Sequence, residues 1–357
     1  MATPVGDSYA VTSGGVIAAG RRVATALRYA AAALAPGQMV ELPCVYLNTR
    51  DAQNLYPTEG SANYTLMPWT VKMGWDSVSQ RAMIYTERAM AWGQNGAWSA
   101  LIWFDAKADT WGHLRNPFGR MSGHGYDSNA FDQRARILYK APYNSAIIER
   151  WDSANWQALT SINAPPSTLG PVTGTLGGVL GLVVHPNFGS SGSLIVVEGS
   201  ERGRIYRRDL ASGVWTQIAA TFDVELQTVA HYNSHSDVVV CGGAAAGQSL
   251  YVVSSAGVVT ATDPCPASVQ SHYSGNQFFP DPASHKSLLF SPDGHLYELD
   301  TLTGEWSDSG TYPTALIQTD ETYDSGFGVA IPEYNCILFA QGSSGNTKTY
   351  IYKHTAD

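Results

Sequence analysis

The sequence predicts an all-β chain: a β-propeller of about six four-stranded blades behind a short N-terminal arm and helix. Three observations predict it. First, one order recurs along the chain: a turn, an apolar strand, a second turn, an alternating strand. The stretch from Gln277 to Trp306 shows it in full. Phe278-Phe279 lead into Pro280-Asp281-Pro282, then Leu288-Leu289-Phe290, then Pro292-Asp293-Gly294, then Leu296-Tyr297-Glu298-Leu299-Asp300, and a Thr303-Gly304 turn delivers Trp306. Second, the apolar strands centred on Ile84, Leu138, Val196, Val239, Leu289 and Leu338 follow one another at intervals of 43 to 58 residues. That is the period of propeller blades. Third, a single such meander has two raw edges and too little core to stand alone, so it needs neighbours of its own kind and a closed ring. A β-sandwich also has short strands and turn punctuation, but has no use for six copies of one order.

Composition agrees. Gly 35, Pro 18, Trp 10 and Tyr 19 in 357 residues suit a turn-rich β fold packed with aromatic rings. Lys and Arg total 21 against 30 for Asp and Glu, a formal net charge of -9, and such a surface repels phosphate backbones, so nucleic acid is not an expected partner. No apolar run is long enough to predict a membrane span. Cys44, Cys241, Cys265 and Cys336 are widely spaced. They indicate neither a disulfide framework nor a zinc site, and Cys241 and Cys336 read as reduced core thiols.

Taken in order, residues 1–14 read as an arm. Gly15 to Ala35 reads as an Ala-rich helix with Val23, Leu27, Ala30 and Leu34 on one stripe, stopped by Pro36-Gly37. Arg21-Arg22 resembles a twin-arginine export signal, but Arg28 interrupts the apolar run and the first twenty residues carry no positive charge, so a structural helix is the expectation. The stripe must be buried, against this chain or against a partner, and Val23, Leu27 and Leu34 are the candidate docking residues. Met39 to Leu47 reads as a strand. That strand, or one at Tyr64–Trp69, is expected to complete the last blade, since a ring is best locked by borrowing a strand from the opposite terminus. Residues 1–63 are thus set apart from a propeller at 64–357. Four repeats run on to a tryptophan after a turn, at Trp111, Trp156, Trp215 and Trp306, placed to lie across the junction with a neighbouring blade.

The Val238–Gly243 run, in which a Gly pair follows apolar residues, resembles kelch or galactose-oxidase-type propeller repeats, as do Trp75-Asp76 before Arg81 and the downstream Tyr and Trp. The resemblance covers the chain from about Tyr64 and specifies architecture. Gly123 to Asp132 is also similar to propellers encoded by tailed bacteriophages, which implies a virion component such as a tail-tip, fibre-associated or decoration protein. Copper chemistry of the galactose-oxidase kind would need a cysteine beside a channel tyrosine, and no cysteine is so placed.

In a propeller the innermost strands line the channel and their ends form its mouths. Polar residues at the starts of those strands are His124, Tyr126 and Asp127, then His272, then Tyr323 and Asp324. Tyr-Asp-Ser occurs at 126–128 and again at 323–325. Carboxylates with imidazole at one mouth could bind a metal or a sugar, or act as acid and base. The plainer reading is that Asp and Ser bond turn amides while Tyr packs between blades. His231 and His235 lie in a strand and turn, without the helical spacing of metal ligands. No catalytic, metal or cofactor motif is present. The expected function is therefore a non-enzymatic structural or binding propeller, held in a larger assembly through residues 1–40. The alternative is an exported carbohydrate-binding or carbohydrate-active propeller with its polar residues at the channel mouth. The locations implied are a virion assembled in host cytoplasm, or secretion.

Overall fold

A computed structural model of the chain describes residues 26–43, 72–88, 98–115, 127–142, 146–165, 179–198, 203–222, 228–243, 246–269, 276–291, 293–312, 327–341 and 348–354. It begins with helix α1 (Ala26–Ala33) and strand β1 (Met39–Glu41). Five antiparallel four-stranded sheets follow in sequence order. Blade 1 holds β2 (Gly74–Asp76), β3 (Arg81–Arg88), β4 (Trp98–Asp105) and β5 (Thr110–Arg115). Blade 2 holds β6 (Asn129–Asp132), β7 (Ile137–Lys140), β8 (Ile147–Asp152) and β9 (Gln157–Asn163). Blade 3 holds β10 (Val179–His185), β11 (Ser193–Glu198), β12 (Gly203–Asp209) and β13 (Trp215–Phe222). Blade 4 holds β14 (Val229–Asn233), β15 (Val238–Gly242), β16 (Ser249–Ser254) and β17 (Val259–Pro264). Blade 5 holds β18 (Gln277–Pro280), β19 (Lys286–Phe290), β20 (His295–Asp300) and β21 (Trp306–Thr311).

Blade 6 has only three strands of its own, β22 (Phe327–Ile331), β23 (Cys336–Gln341) and β24 (Lys348–Tyr352), and takes its fourth from β1. Met39, Val40 and Glu41 pair antiparallel with Tyr352, Ile351 and Tyr350. The N-terminal strand thus closes the ring, as expected for Met39 onward; Tyr64–Trp69 lies outside the described residues. Inner strands touch round the ring, and the isolated parallel bridges Lys72 to Gly328 and Asp127 to Gly181 tie neighbouring blades at the channel.

The helix is part of that closure. Leu27, Ala30, Ala31 and Leu34 are buried in one apolar cluster with Val40, Trp75, Ile84, Phe104, Phe327, Leu338 and Ile351, so α1 covers the seam between the first and last blades. Of the stripe read from sequence, Leu27 and Leu34 are therefore spent within the chain, and Val23 lies outside the described residues. Gly37 turns the chain at φ 77° and donates to the Lys353 carbonyl at 2.8 Å, which swings β1 onto β24.

The four tryptophans each reach the preceding blade. Trp111 Nε1 donates to Thr349 Oγ1 at 2.9 Å, Trp215 Nε1 to the Asn163 carbonyl at 3.1 Å and Trp306 Nε1 to the Asp263 carbonyl at 3.2 Å. Trp156 instead stacks on Trp103 with ring centroids 4.8 Å apart. At these four junctions a large ring removes apolar area from water, and at three of them its N–H finds an acceptor. Cys241 and Cys336 are buried free thiols on the second strands of their blades, as the sequence predicts.

Candidate functional site

The hairpins joining first to second and third to fourth strands share one face of the disc, and carboxylates build most of them. At the first hairpin Asp76 Oδ1 accepts from the Val78 and Ser79 amides at 3.0 and 3.4 Å. Asp132, Asn233 and Asp281 repeat the arrangement in blades 2, 4 and 5. Asp105, Asp152, Asp209 and Asp300 do the same at the outer hairpins. These side chains mimic a backbone turn, which is why Asp recurs at strand ends. Much of the acidic excess is thereby structural.

Inside this rim the innermost strands surround a pocket of about 600 Å³. Its wall is mainly apolar, with Trp75, Phe131, Val183, Tyr232, Phe278 and Ala330 among the lining residues. Gly74 is required there, because a Cβ at that position would run into Phe131 of the next blade. At the inner end Lys72 reaches across the channel. Its Nζ lies 2.9 Å from Asp127 Oδ1 and donates to the carbonyls of Leu182 and Ala230 at 2.5 Å each. The other Asp127 oxygen accepts from the Ala230 amide. One ammonium from blade 1 thus joins acceptors on blades 2, 3 and 4. Burial pushes the Asp127 carboxyl up to about 7 against the opposing pull of Lys72, and burial lowers Lys72 against the pull of Asp127.

Polar contacts round the rim also cross blade junctions. Trp75 Nε1 donates to Glu333 Oε2 at 2.8 Å. Arg134 donates to the Pro186 carbonyl at 2.6 Å and to Asn187 Oδ1 at 2.7 Å. Asn187 Nδ2 and the Tyr232 hydroxyl both donate to Asp237 Oδ1, at 2.8 and 2.7 Å. His235 Nε2 lies 3.0 Å from the Pro282 carbonyl. His231, which lines the pocket, pairs its Nε2 with Ser287 Oγ at 2.8 Å, and that serine is fully buried on β19. Burial, with the Lys72 charge adding to it, holds His231 down at about 3, so it is a neutral packing group.

Of the six mouth residues expected from sequence, Asp127 lies in the channel, buried and committed to Lys72 and Ala230. His124, Tyr126, His272, Tyr323 and Asp324 lie outside the described residues. Sequence reasoning missed Lys72. The signal was available: aligned on Trp75-Asp76 and Phe131-Asp132, Lys72 falls where the other blades carry Ser128, Gly181, Val229, Gln277 and Phe327, the lone charge among the six. Among the described residues no group of three or more His, Cys, Asp or Glu is placed to hold a metal ion.

Strand order and pocket together define a six-bladed β-propeller with an axial pocket. No family model and no curated protein matches the sequence. Among solved structures the chain is similar to one in the crystal structure of the mitotic checkpoint complex, at 11% identity and TM-score 0.47, covering 96% of this chain and 100% of that one. It is also similar to one in the crystal structure of a nidogen/laminin complex, at 10% identity and TM-score 0.46, covering 70% of this chain and 82% of that one.

Proposed function

We propose that the protein is a binding propeller that seats its ligand in the axial pocket, reached from the hairpin face. The observation that carries this reading is the pocket itself: concave, mainly apolar, on rigid inner strands, with a rim locked by inter-blade hydrogen bonds. The ionisable groups there favour binding over chemistry. Lys72 is committed to Asp127, His231 to a buried serine, and the acidic residues of the rim to turn amides or Trp75.

The setting we propose is a tailed-phage virion, on the resemblance of Gly123–Asp132, with the protein held in its assembly through residues 1–40. Since Leu27 and Leu34 are buried on the seam, such an anchor would use exposed groups of α1, Arg28 and Tyr29, and the residues before it. Hydrogen exchange of the isolated chain against the chain in its native assembly tests both parts. Slowed exchange in the hairpins at 76–80, 132–136 and 233–237 supports the pocket-face reading, and slowed exchange within 1–40 supports the anchor. Protection confined to the outer strands β5, β9, β13, β17 and β21 contradicts both.

A further inference from the structure

The chemical class of the ligand can be read from the way the pocket disposes of charge. Among the described residues six charged side chains line it, Lys72, Asp127, Asp132, Arg134, Asp281 and Glu333, and each of these is bonded within the chain. Lys72 Nζ donates to carbonyls on blades 3 and 4 and forms an ion pair with Asp127 on blade 2. Asp127 has one oxygen on Lys72 and the other on the Ala230 amide. Asp132 and Asp281 accept turn amides, Asp281 also taking the Ser284 hydroxyl at 2.5 Å. Arg134 is held by the Pro186 carbonyl and Asn187, and Glu333 by the Trp75 indole. At the inner end Lys72 and Asp127 compensate each other, so a charged ligand carried down the apolar wall would be stripped of water without meeting an uncompensated opposite charge there, a cost that an uncharged one avoids. Much of the surface open to a ligand among the described residues is the partly exposed wall of Phe131, Tyr232, Phe278, Pro280, Val329 and Ala330, with neutral polar groups such as Ser234 toward the mouth. A volume of about 600 Å³ lies within the range, roughly 300–1,000 Å³, of pockets that enclose small organic molecules.

Resting on the binding reading above, we infer that the axial pocket takes a small uncharged molecule with an aromatic or aliphatic body. Among the described lining residues toward the hairpin end, the carboxylates Asp132, Asp281 and Glu333 outnumber the one base, Arg134, so among charged ligands a cation is rejected less than an anion.

Three probes of one shape test this on the full chain: benzyl alcohol, benzylammonium and benzoate, titrated by ligand-observed NMR. The expected order of affinity is benzyl alcohol, then benzylammonium, then benzoate, with at least a tenfold gap between first and last. Ala330→Trp fills the pocket from its wall and should abolish benzyl alcohol binding. Asp127→Asn leaves Lys72 without its counter-charge and should bring benzoate level with benzyl alcohol or ahead of it. Equal binding of all three probes by the native chain, with loss in the Ala330→Trp variant, overturns the charge inference and leaves the pocket as the seat. Binding that Ala330→Trp does not alter, or no binding of benzyl alcohol at millimolar concentration, overturns the inference and counts against the seat itself.

Discussion

Asp76 is the side chain on which the first hairpin, the second blade and the acid stability of their junction converge. Beyond its two turn amides it accepts from Ser79 Oγ at 2.8 Å, Arg136 at 2.7 Å and Ser153 Oγ at 3.1 Å. Burial opposes its ionisation, but the donors from Arg136, Ser79 and Val78 outweigh burial and hold its carboxyl below the usual range. A depressed carboxyl contributes stability that is present above its ordinary pKa and lost as pH falls through the folded value. Asp76→Ala should cost roughly 2–4 kcal/mol in urea unfolding at pH 7, and the deficit should shrink toward pH 2. The channel pair carries the opposite sign. Burial raises Asp127 to about 7, so its contribution is greatest below the ordinary carboxylate range and declines as pH rises through that value. Lys72→Met alone should destabilise by about 3–5 kcal/mol when unfolding is followed well above pH 7, where it strands a buried carboxylate, and by less below it, where the carboxyl holds its proton. Lys72→Met with Asp127→Leu should recover most of that loss in the same assay, since neither charge then remains to be desolvated. At this scale the sequence was readable where a residue type has one routine use, as with Asp at strand ends and Trp at junctions. Lys72 stood out only as the lone charge at its aligned position; its role comes from the Asp127 carboxylate and the Leu182 and Ala230 carbonyls, which only ring closure brings together.

At the scale of elements, the strand borrowed from the N-terminus was legible because a closed ring needs its last blade locked to its first. The placement of the helix was not. An apolar stripe on Leu27 and Leu34 states that something covers it, and only the antiparallel pairing of β1 with β24 directs it onto the seam between blades 1 and 6. Leu27→Asp should therefore lower stability by about 2–4 kcal/mol, measured as a fall in the urea midpoint with an unchanged slope, since it places a charge in that cluster. The other side of blade 6 carries a polar fastening. Glu298 of blade 5 lies 2.8 Å from Lys286 Nζ and 3.3 Å from His354 Nε2, beyond β24, and accepts from Ser309. Burial again opposes ionisation, and His354, Lys286 and Ser309 together bring Glu298 down to about 2. Its stabilisation is thus present above its ordinary value of 4.5 and lost as pH falls toward about 2. Glu298→Gln should cost about 1–3 kcal/mol at pH 7 and flatten the acid limb of a melting-temperature profile between pH 5 and pH 2.

Across the whole molecule, six sheets have no core layer running through the centre, so the disc is held by what crosses its junctions. Arg136 to Asp76, Arg134 to Asn187, Asn187 to Asp237, Asn233 to the Ser284 and Lys286 carbonyls, His354 to Glu298 and Trp75 to Glu333 tie each blade to the next, all the way round. A ring so fastened keeps an axial pocket open, where a two-layer sandwich would fill its centre with side chains. Fold and pocket therefore stand together on closure between β1 and β24. The most direct measurement is a methyl nuclear Overhauser contact between Val40 and Ile351, which pair across that junction and are both buried. A cross-peak between these methyls in the full chain is the predicted result. Its absence, with the Val40 methyls free of contacts to blade 6, would mean that the ring is not closed by the N-terminal strand.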